Sequence, residues 1–334
     1  MQKLKPGEFA DLSEIAIKNL FQNKITTLFE FLQEDVSKVS AISKLSLAQV
    51  LNIRNEIFLK YSAPLRNGIS LVENSAISRK LIKTKIDSLD HIIGGGIPTR
   101  SITELCGLAD SGKTQICLQI AMNCVKDTDS TVLYVDTKGD FSAVRVQKIL
   151  DGCKYSNKDM ALIMHRIRII HIWTMTDLIE LFKKLNKKTL VIENLALIII
   201  DSLPCLMFQY LGEESKIGLT HLNTFVNYGK QLCRTINVAL LCVNIQTRWI
   251  DSDFADLEGE EASGPLKDSF VEKRNRCLGK YWEQIPALVI VTEKNPHNNT
   301  NSFVSHLKLT VVKCNNVLYE KRECFLNINT FGIT

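Results

Sequence analysis

The sequence predicts an α/β domain over residues 84–334: a mostly parallel sheet flanked by helices, with an antiparallel hairpin at its C-terminal end. A small all-α domain precedes it over residues 1–60. Three observations carry that prediction. From residue 84 onward, apolar runs alternate with amphipathic stretches of helical length. Several of the runs are continuous rather than alternating, as strands covered on both faces of a parallel sheet require. A glycine-rich turn stands between the first strand and the first long helix.

The elements follow in order. Residues 1–60 show no strand-like alternation and read as four short helices separated by polar caps, enough for only a small core. The last is the clearest. Ser46 and Gln49 have capping-box spacing, and apolar residues recur at Leu47, Val50, Leu51, Ile57 and Phe58. Residues 61–83 contain Pro64, an Asn67-Gly68 turn signal and no sustained period, and read as a linker. Its apolar patch "ISLV" at 69–72, with Ile69 and Leu71 as the candidate partner-binding residues, has two readings. It is a short strand that pairs with another subunit's sheet edge, or it lies on its own domain. Strands are expected at 102–106, 131–136, 166–172, 195–201, 238–243 and 287–292, and helices at 113–126, 141–150, 174–187 and 215–235. The segments 306–313 and 322–328 form the terminal hairpin.

The bulk properties exclude several classes. Of the 334 residues, 45% are hydrophobic and 23% charged, ordinary for a chain that buries a core. The net charge of +5 permits nucleic-acid contact without arguing for it, because binding depends on where the charge clusters. Ten cysteines form no C-x-x-C pair and no metal-spaced run, and read as reduced thiols. "MQKLKPGEFADLSE" has no apolar core of signal-peptide length, and "LALIII" is too short to span a bilayer. Secretion and membrane insertion are not expected.

"GLADSGKT" at 107–114 satisfies G-x-x-x-x-G-K-[ST], after the strand "ITELC" and at the start of the helix "KTQICLQIAMNC". Gly107 and Gly112 would let the loop, with Leu108, Ala109, Asp110 and Ser111 between them, wrap a phosphate with backbone N–H groups. The helix N-terminus, from Lys113 through Gln115, adds its dipole. Lys113 would reach the β- and γ-phosphates, and the Thr114 hydroxyl would ligate Mg²⁺. Asp201, at the end of the apolar run "LALIIID", is the expected second metal residue; an aspartate at a strand end also caps turns. The cofactors expected are ATP and Mg²⁺.

These motifs resemble the RecA/RadA recombinases. "TKIDSLDHIIGGGIPTRSITELCGLADSGKTQICLQIA" looks like the opening of that family's nucleotide domain. "VLYVDTKGDF", "RIRIIHIWTMTDLIELF", "LALIIIDSLPCLMF" and "NVALLCVNIQT" follow in the family's order. The helical N-terminal domain fits the eukaryotic and archaeal branch. Within it the chain is most similar to the eukaryotic recombinase paralogs of the D type, on "PLRNGISL", "VLYVD" and "LGKYWEQIP". The resemblance implies a RecA-like P-loop NTPase core, ATP bound between adjacent protomers, and two loops facing DNA.

Three departures from the family pattern are informative. Strand-exchange enzymes carry a glutamate, which polarises the attacking water, where this chain has Lys138; a protonated amine cannot be that base. Asp136 and Asp140 flank it, but neither points as the glutamate would. Lys138 could instead reach a neighbour's γ-phosphate, as an arginine finger does. The family's Asn-Gln sensor is interrupted here: Asn244 is followed by Ile245, and Gln246 comes one position late, on the other face of an extended segment. The linker lacks the family's Phe-x-x-Ala element, so self-assembly into a filament is not expected.

Residues 247–278 stand where the family keeps its second DNA loop. The first half is acidic and the second basic, so Arg274, Arg276 and Lys280 are the candidate DNA contacts, a solvated surface run being the other reading. Trp249 and Phe254 either stack on bases or dock the loop. Three functions are consistent with these features. The first is an ATP-binding recombination mediator in a nuclear hetero-oligomer of recombinase paralogs, assisting a strand-exchange recombinase on single-stranded or branched DNA. The second is a filament-forming, DNA-stimulated ATPase that exchanges strands itself. The third is a scaffold adaptor with a vestigial nucleotide site. Lys138, Ile245 and the linker weigh against the second; intact Thr114 and Asp201 weigh against the third. The expectation is tight Mg-ATP binding with slow hydrolysis by the isolated chain.

Overall fold

The computed structural model describes residues 3–62, 67–69, 80–126, 128–210, 212, 215–250, 272–294, 304–314 and 322–334, without the side chains of Trp249, Ile250, Glu272 and Lys273. Leu71 in the linker and Phe254 in the long loop lie outside the described residues. Packing divides the chain into two units, Met1–Asn74 and Ser75–Thr334.

The first unit holds α1 (Glu14–Gln22), α2 (Leu28–Gln33), α3 (Val36–Ser43) and α4 (Leu47–Tyr61). Each begins at a side chain that accepts from the first turn: Ser13, Thr27, Asp35 and Ser46. The Ser46/Gln49 capping box forms as expected, and Thr27/Glu30 makes a second. The core gathers Leu12, Leu20, Phe31, Val50, Ile53 and Ile57. On α4 the buried stripe is Val50, Ile53 and Ile57, whereas Leu47, Leu51 and Phe58 are exposed within this unit's surroundings. The expected apolar period thus mixed two stripes of one helix.

The second unit is built on a nine-stranded sheet. In chain order its strands are β1 (Leu81–Ile82) and β2 (Ile97–Pro98), which pair with each other apart from the main sheet, then β3 (Ile102–Gly107), β4 (Thr131–Asp136), β5 (Ile167–His171), β6 (Leu195–Asp201) and β7 (Ala239–Val243). A separate antiparallel ribbon follows, β8 (Gln246–Ile250) with β9 (Glu272–Arg276). The sheet is completed by β10 (Leu288–Lys294), β11 (Ser305–Cys314), β12 (Arg322–Asn329) and β13 (Gly332–Ile333). The order is β13-β12-β11-β10-β3-β7-β6-β4-β5; from β10 to β5 all neighbours are parallel, and from β10 to β13 antiparallel.

Burial on both faces explains the continuous apolar runs. Leu197 and Ile199 of β6 face one core, together with Ala239, Leu241 and Val243 of β7. Ile198, Ile200, Leu240 and Cys242 face the other. A Leu or Ile fully removed from water contributes about 1.5–3 kcal/mol, so a polar residue inside these runs demands a partner. The first core is covered by α5 (Asp87–Ile93), α6 (Lys113–Lys126), α7 (Ala143–Gly152) and α8 (Asn157–Arg166). The second is covered by α9 (Met175–Asn186) and α10 (Ser215–Ile236); a short α11 (Gly279–Glu283) adds the buried Trp282. Helices α5 and α8 were not expected from the sequence. One has seven residues, and the other buries only Ile163, too little to raise a period. All ten cysteines are free thiols. No described helix is long and apolar enough to cross a membrane.

Candidate nucleotide site

The parallel strands end together. Asp136 of β4 is in register with Asp201 of β6, and β3 runs out at Gly107. Crevices at the carboxyl ends of parallel strands are where open α/β sheets bind ligands.

The loop from Gly107 to Lys113 is shaped by close approach. A Cβ on Gly107 would lie 2.4 Å from the Thr292 carbonyl oxygen and 2.5 Å from Ser111 Oγ. Gly112 has φ +77° and would press a Cβ to 2.6 Å from Leu307. Thr292 Oγ1 donates to the Ser111 carbonyl at 2.8 Å, fastening the loop to β10. Lys113 begins α6 and is buried. Its ammonium donates to Gly107 O at 3.0 Å, Ser111 Oγ at 3.2 Å and the Leu108 carbonyl. Burial is the main cause of its lowered pKa, and Lys138 adds repulsion. Asp110 lies outside this arrangement, with its carboxylate on Lys294 at 2.8 Å.

Thr114, the second residue of α6, donates its hydroxyl to Asp201 Oδ2 at 2.6 Å. The Tyr134 hydroxyl donates to the same oxygen at 3.0 Å, and burial holds Tyr134 well above its usual pKa, so it stays a donor. Asp201 Oδ1 is buried and accepts no hydrogen bond among the described residues. The Thr114 hydroxyl and the buried Asp201 carboxylate, whose Oδ1 accepts no hydrogen bond among the described residues, form a hard-oxygen set that fits Mg²⁺, beside a loop that a Cβ at Gly107 or Gly112 would crowd. No described group of three or more His, Cys, Asp or Glu forms a metal cage.

Lys138 occupies the same space. Its ammonium lies 3.0 Å from Asp140 Oδ2 and 3.5 Å from Asp201 Oδ1. Burial alone would lower its pKa, but Asp201 and Asp140 outweigh burial and raise it. The reach toward a neighbour is therefore met by a side chain held on carboxylates of its own chain. Asp136 is held differently. It accepts from the backbone N–H groups of Lys138, Gly139, Asp140 and Phe141 at 2.9–3.3 Å. Burial would raise its pKa, yet these four donors bring it below the usual range. Asp136 is the anchor of the turn that carries Lys138.

A family model described as Rad51 matches residues 78–262, more than half of the chain. The chain belongs to the Rad51 family. It is 26% identical to the DNA repair protein RAD51 homolog 4 of Bos taurus over 292 residues, which cover 86% of this chain and 84% of the relative. The Mus musculus protein of the same name is 27% identical, over 88% of this chain and 85% of the relative. The DNA repair and recombination protein RadA of Cenarchaeum symbiosum (strain A) is 32% identical over 53% of this chain and 45% of the relative. These agree with the expected RecA/RadA superfamily and with the likeness to the D-type paralog. In this Rad51-family chain the matched stretch contains the phosphate loop, Lys138 and Asp201, and stops before Arg274, Arg276 and Lys280.

Those last three are placed as follows. Lys280 is exposed on α11. Arg274 pairs with Glu293. Arg276 turns inward: its Nη1 donates to Glu104 Oε2 at 3.1 Å, and Glu104 is fully buried in β3. As a DNA contact Arg276 would have to leave that carboxylate. Asn244, just past the end of β7, donates to Glu104 Oε1 at 2.8 Å and to the Cys277 carbonyl at 3.0 Å. Burial raises the Glu104 pKa, opposed by Asn244 and Arg276. This triad ties the strand feeding the phosphate loop to the β8–β9 ribbon. Sequence reasoning missed it, although Glu104 inside "ITELC" was a signal. Gln246 opens β8, and its Oε1 is buried without a partner among the described residues. In the linker, Ile69 is exposed and its N–H donates to Asn67 Oδ1 at 2.9 Å.

Proposed function

We propose that this chain is an ATP-binding recombinase paralog that serves homologous-recombination repair as a mediator, inside a hetero-oligomer of related chains, in the nucleus. It would assist a strand-exchange recombinase on single-stranded or branched DNA. In support of the repair role, the relatives at 26–27% identity over most of both chains are named as DNA repair proteins. The observation that carries the nucleotide reading is the Thr114–Asp201 contact at the mouth of the Gly107–Lys113 loop.

In this reading the loop amides and Lys113 hold the β- and γ-phosphates, exchanging the weak acceptors Gly107 O and Ser111 Oγ for phosphate oxygens. Thr114 and Asp201 hold Mg²⁺, which supplies charge neutralisation of the phosphates. At this turn, among the described residues, neither Lys138 nor Asp136 offers the attacking water a base. Lys138 is a cation, and the Asp136 carboxylate is occupied by four N–H groups. Hydrolysis by the isolated chain is therefore slow, and bound ATP acts as a subunit glue or switch. Lys280 and Arg274 are the DNA contacts of this reading.

The test is purification of the tagged full-length chain from nuclear extract with quantitative mass spectrometry, alongside phosphate release by the chain alone. Stoichiometric recovery of other Rad51-family chains with slow turnover is expected. A self-associated ladder, or brisk turnover by the single chain, would refute the mediator.

A further inference from the structure

Two ammonium groups face the phosphate loop. Lys113 rests on the loop's own oxygens, and Lys138 rests on Asp201 and Asp140. The second is a built feature. Its backbone sits in a turn whose four consecutive N–H groups, from Lys138 to Phe141, all donate to Asp136, with Gly139 at φ +79° closing the turn. The lysine stem starts from a pinned point, and its tip meets the carboxylate that Thr114 also meets.

Asp201 is thus served from within. Oδ2 accepts the Thr114 and Tyr134 hydroxyls at 2.6 and 3.0 Å. Oδ1 accepts no hydrogen bond among the described residues and lies 3.5 Å from Lys138 Nζ. A fixed positive charge at that distance compensates the carboxylate and repels a divalent ion approaching the same oxygen. An ammonium is also a compact charge with three donors on a flexible stem, able to turn from a carboxylate to a phosphate oxygen.

We propose that Lys138 is a resident cation that takes over, on the Asp201 side of the site, the charge neutralisation a divalent ion would supply, so that this chain binds nucleoside triphosphate with little dependence on magnesium. The inference rests on the nucleotide reading above and goes beyond it by making the metal dispensable for binding. Mg²⁺ still fits the Thr114–Asp201 pair, but as an addition.

The experiment is equilibrium binding of ATP to the full-length chain by calorimetry, in excess Mg²⁺ and in excess EDTA, for the wild type, Lys138→Ala and Lys138→Arg. The wild-type Kd is expected to change by less than ~10-fold between the two conditions, Lys138→Arg likewise. Lys138→Ala is expected to lose ~10-fold or more in EDTA and to recover with Mg²⁺. A wild-type affinity that falls ~10-fold or more in EDTA overturns the inference and leaves the nucleotide reading standing, and no variant need fold for that result. No ATP binding by the wild type in either condition sinks the nucleotide reading itself, and this inference with it.

Discussion

Arg276 and Glu104, 172 residues apart in sequence, meet at 3.1 Å, with the carboxylate fully buried on β3, the strand that runs into the phosphate loop. Removing one member of such a pair strands a charge in the interior. Arg276→Ala is expected to destabilise the second unit by about 3–5 kcal/mol, read as a lowered urea midpoint. The double variant Glu104→Gln with Arg276→Met leaves no buried charge and should recover most of that loss. Equal loss in the single and double variants would show that packing, not charge, holds this corner.

Asp136 makes a prediction about pH. Its pKa is lowered in the folded chain, so its contribution is present above the unfolded value of 3.8 and disappears as pH falls through the lower folded value. Asp136→Asn replaces one acceptor oxygen with an amide that cannot take the N–H bonds now made. The variant should be less stable by about 1–3 kcal/mol at neutral pH. The gap to wild type should narrow as pH drops below 3.8, as followed by chemical denaturation at several pH values. A gap that stayed constant with pH would assign the loss to geometry rather than charge.

Whatever rests on local pattern could be read in the sequence. Strands β6 and β7 declare themselves because neighbouring side chains enter opposite cores, leaving no polar position between them. The phosphate loop is equally local, since its glycines, lysine and threonine lie within eight residues. Contacts between distant residues were hidden. Nothing near Arg276 announces Glu104, and nothing near Asn244 does either, 140 residues away. Lys138 shows both sides of this limit. Its inability to act as a base followed from its charge alone, but its seat on Asp201 needed the register that brings β4 beside β6. On α4 the sequence holds two apolar stripes, and only packing reveals that Val50, Ile53 and Ile57 form the inner one.

The loop itself tolerates no side chain at its first glycine. In Gly107→Ala the added methyl would meet the Thr292 carbonyl at 2.4 Å, a backbone atom of the neighbouring strand that cannot swing aside. The loop or β10 must shift, costing about 1–3 kcal/mol. Because that shift moves the amides facing the phosphates, ATP affinity should fall by more than stability does. A variant that kept wild-type ATP affinity would show that the loop is not the cradle. Calorimetry beside a thermal melt separates the two effects.

Hydrolysis is the last point the site decides. Lys138 projects from the pinned turn to within 3.5 Å of Asp201, so a side chain of similar reach at this position faces the same space. Glutamate there would supply the missing proton acceptor, and a positioned general base is typically worth ~10²–10⁴-fold in rate. It would also stand close to Asp201 and Asp140 and be opposed by both, which calls for saturating Mg²⁺ in the assay. Lys138→Glu is therefore expected to raise phosphate release at saturating ATP and Mg²⁺ by at least ~10-fold over wild type, below the full range because of that repulsion. Lys138→Gln, neutral and of the same length as glutamate, should stay near the wild-type rate. If the glutamine variant accelerated turnover as much as the glutamate variant, loss of the ammonium rather than gain of a base would be the cause.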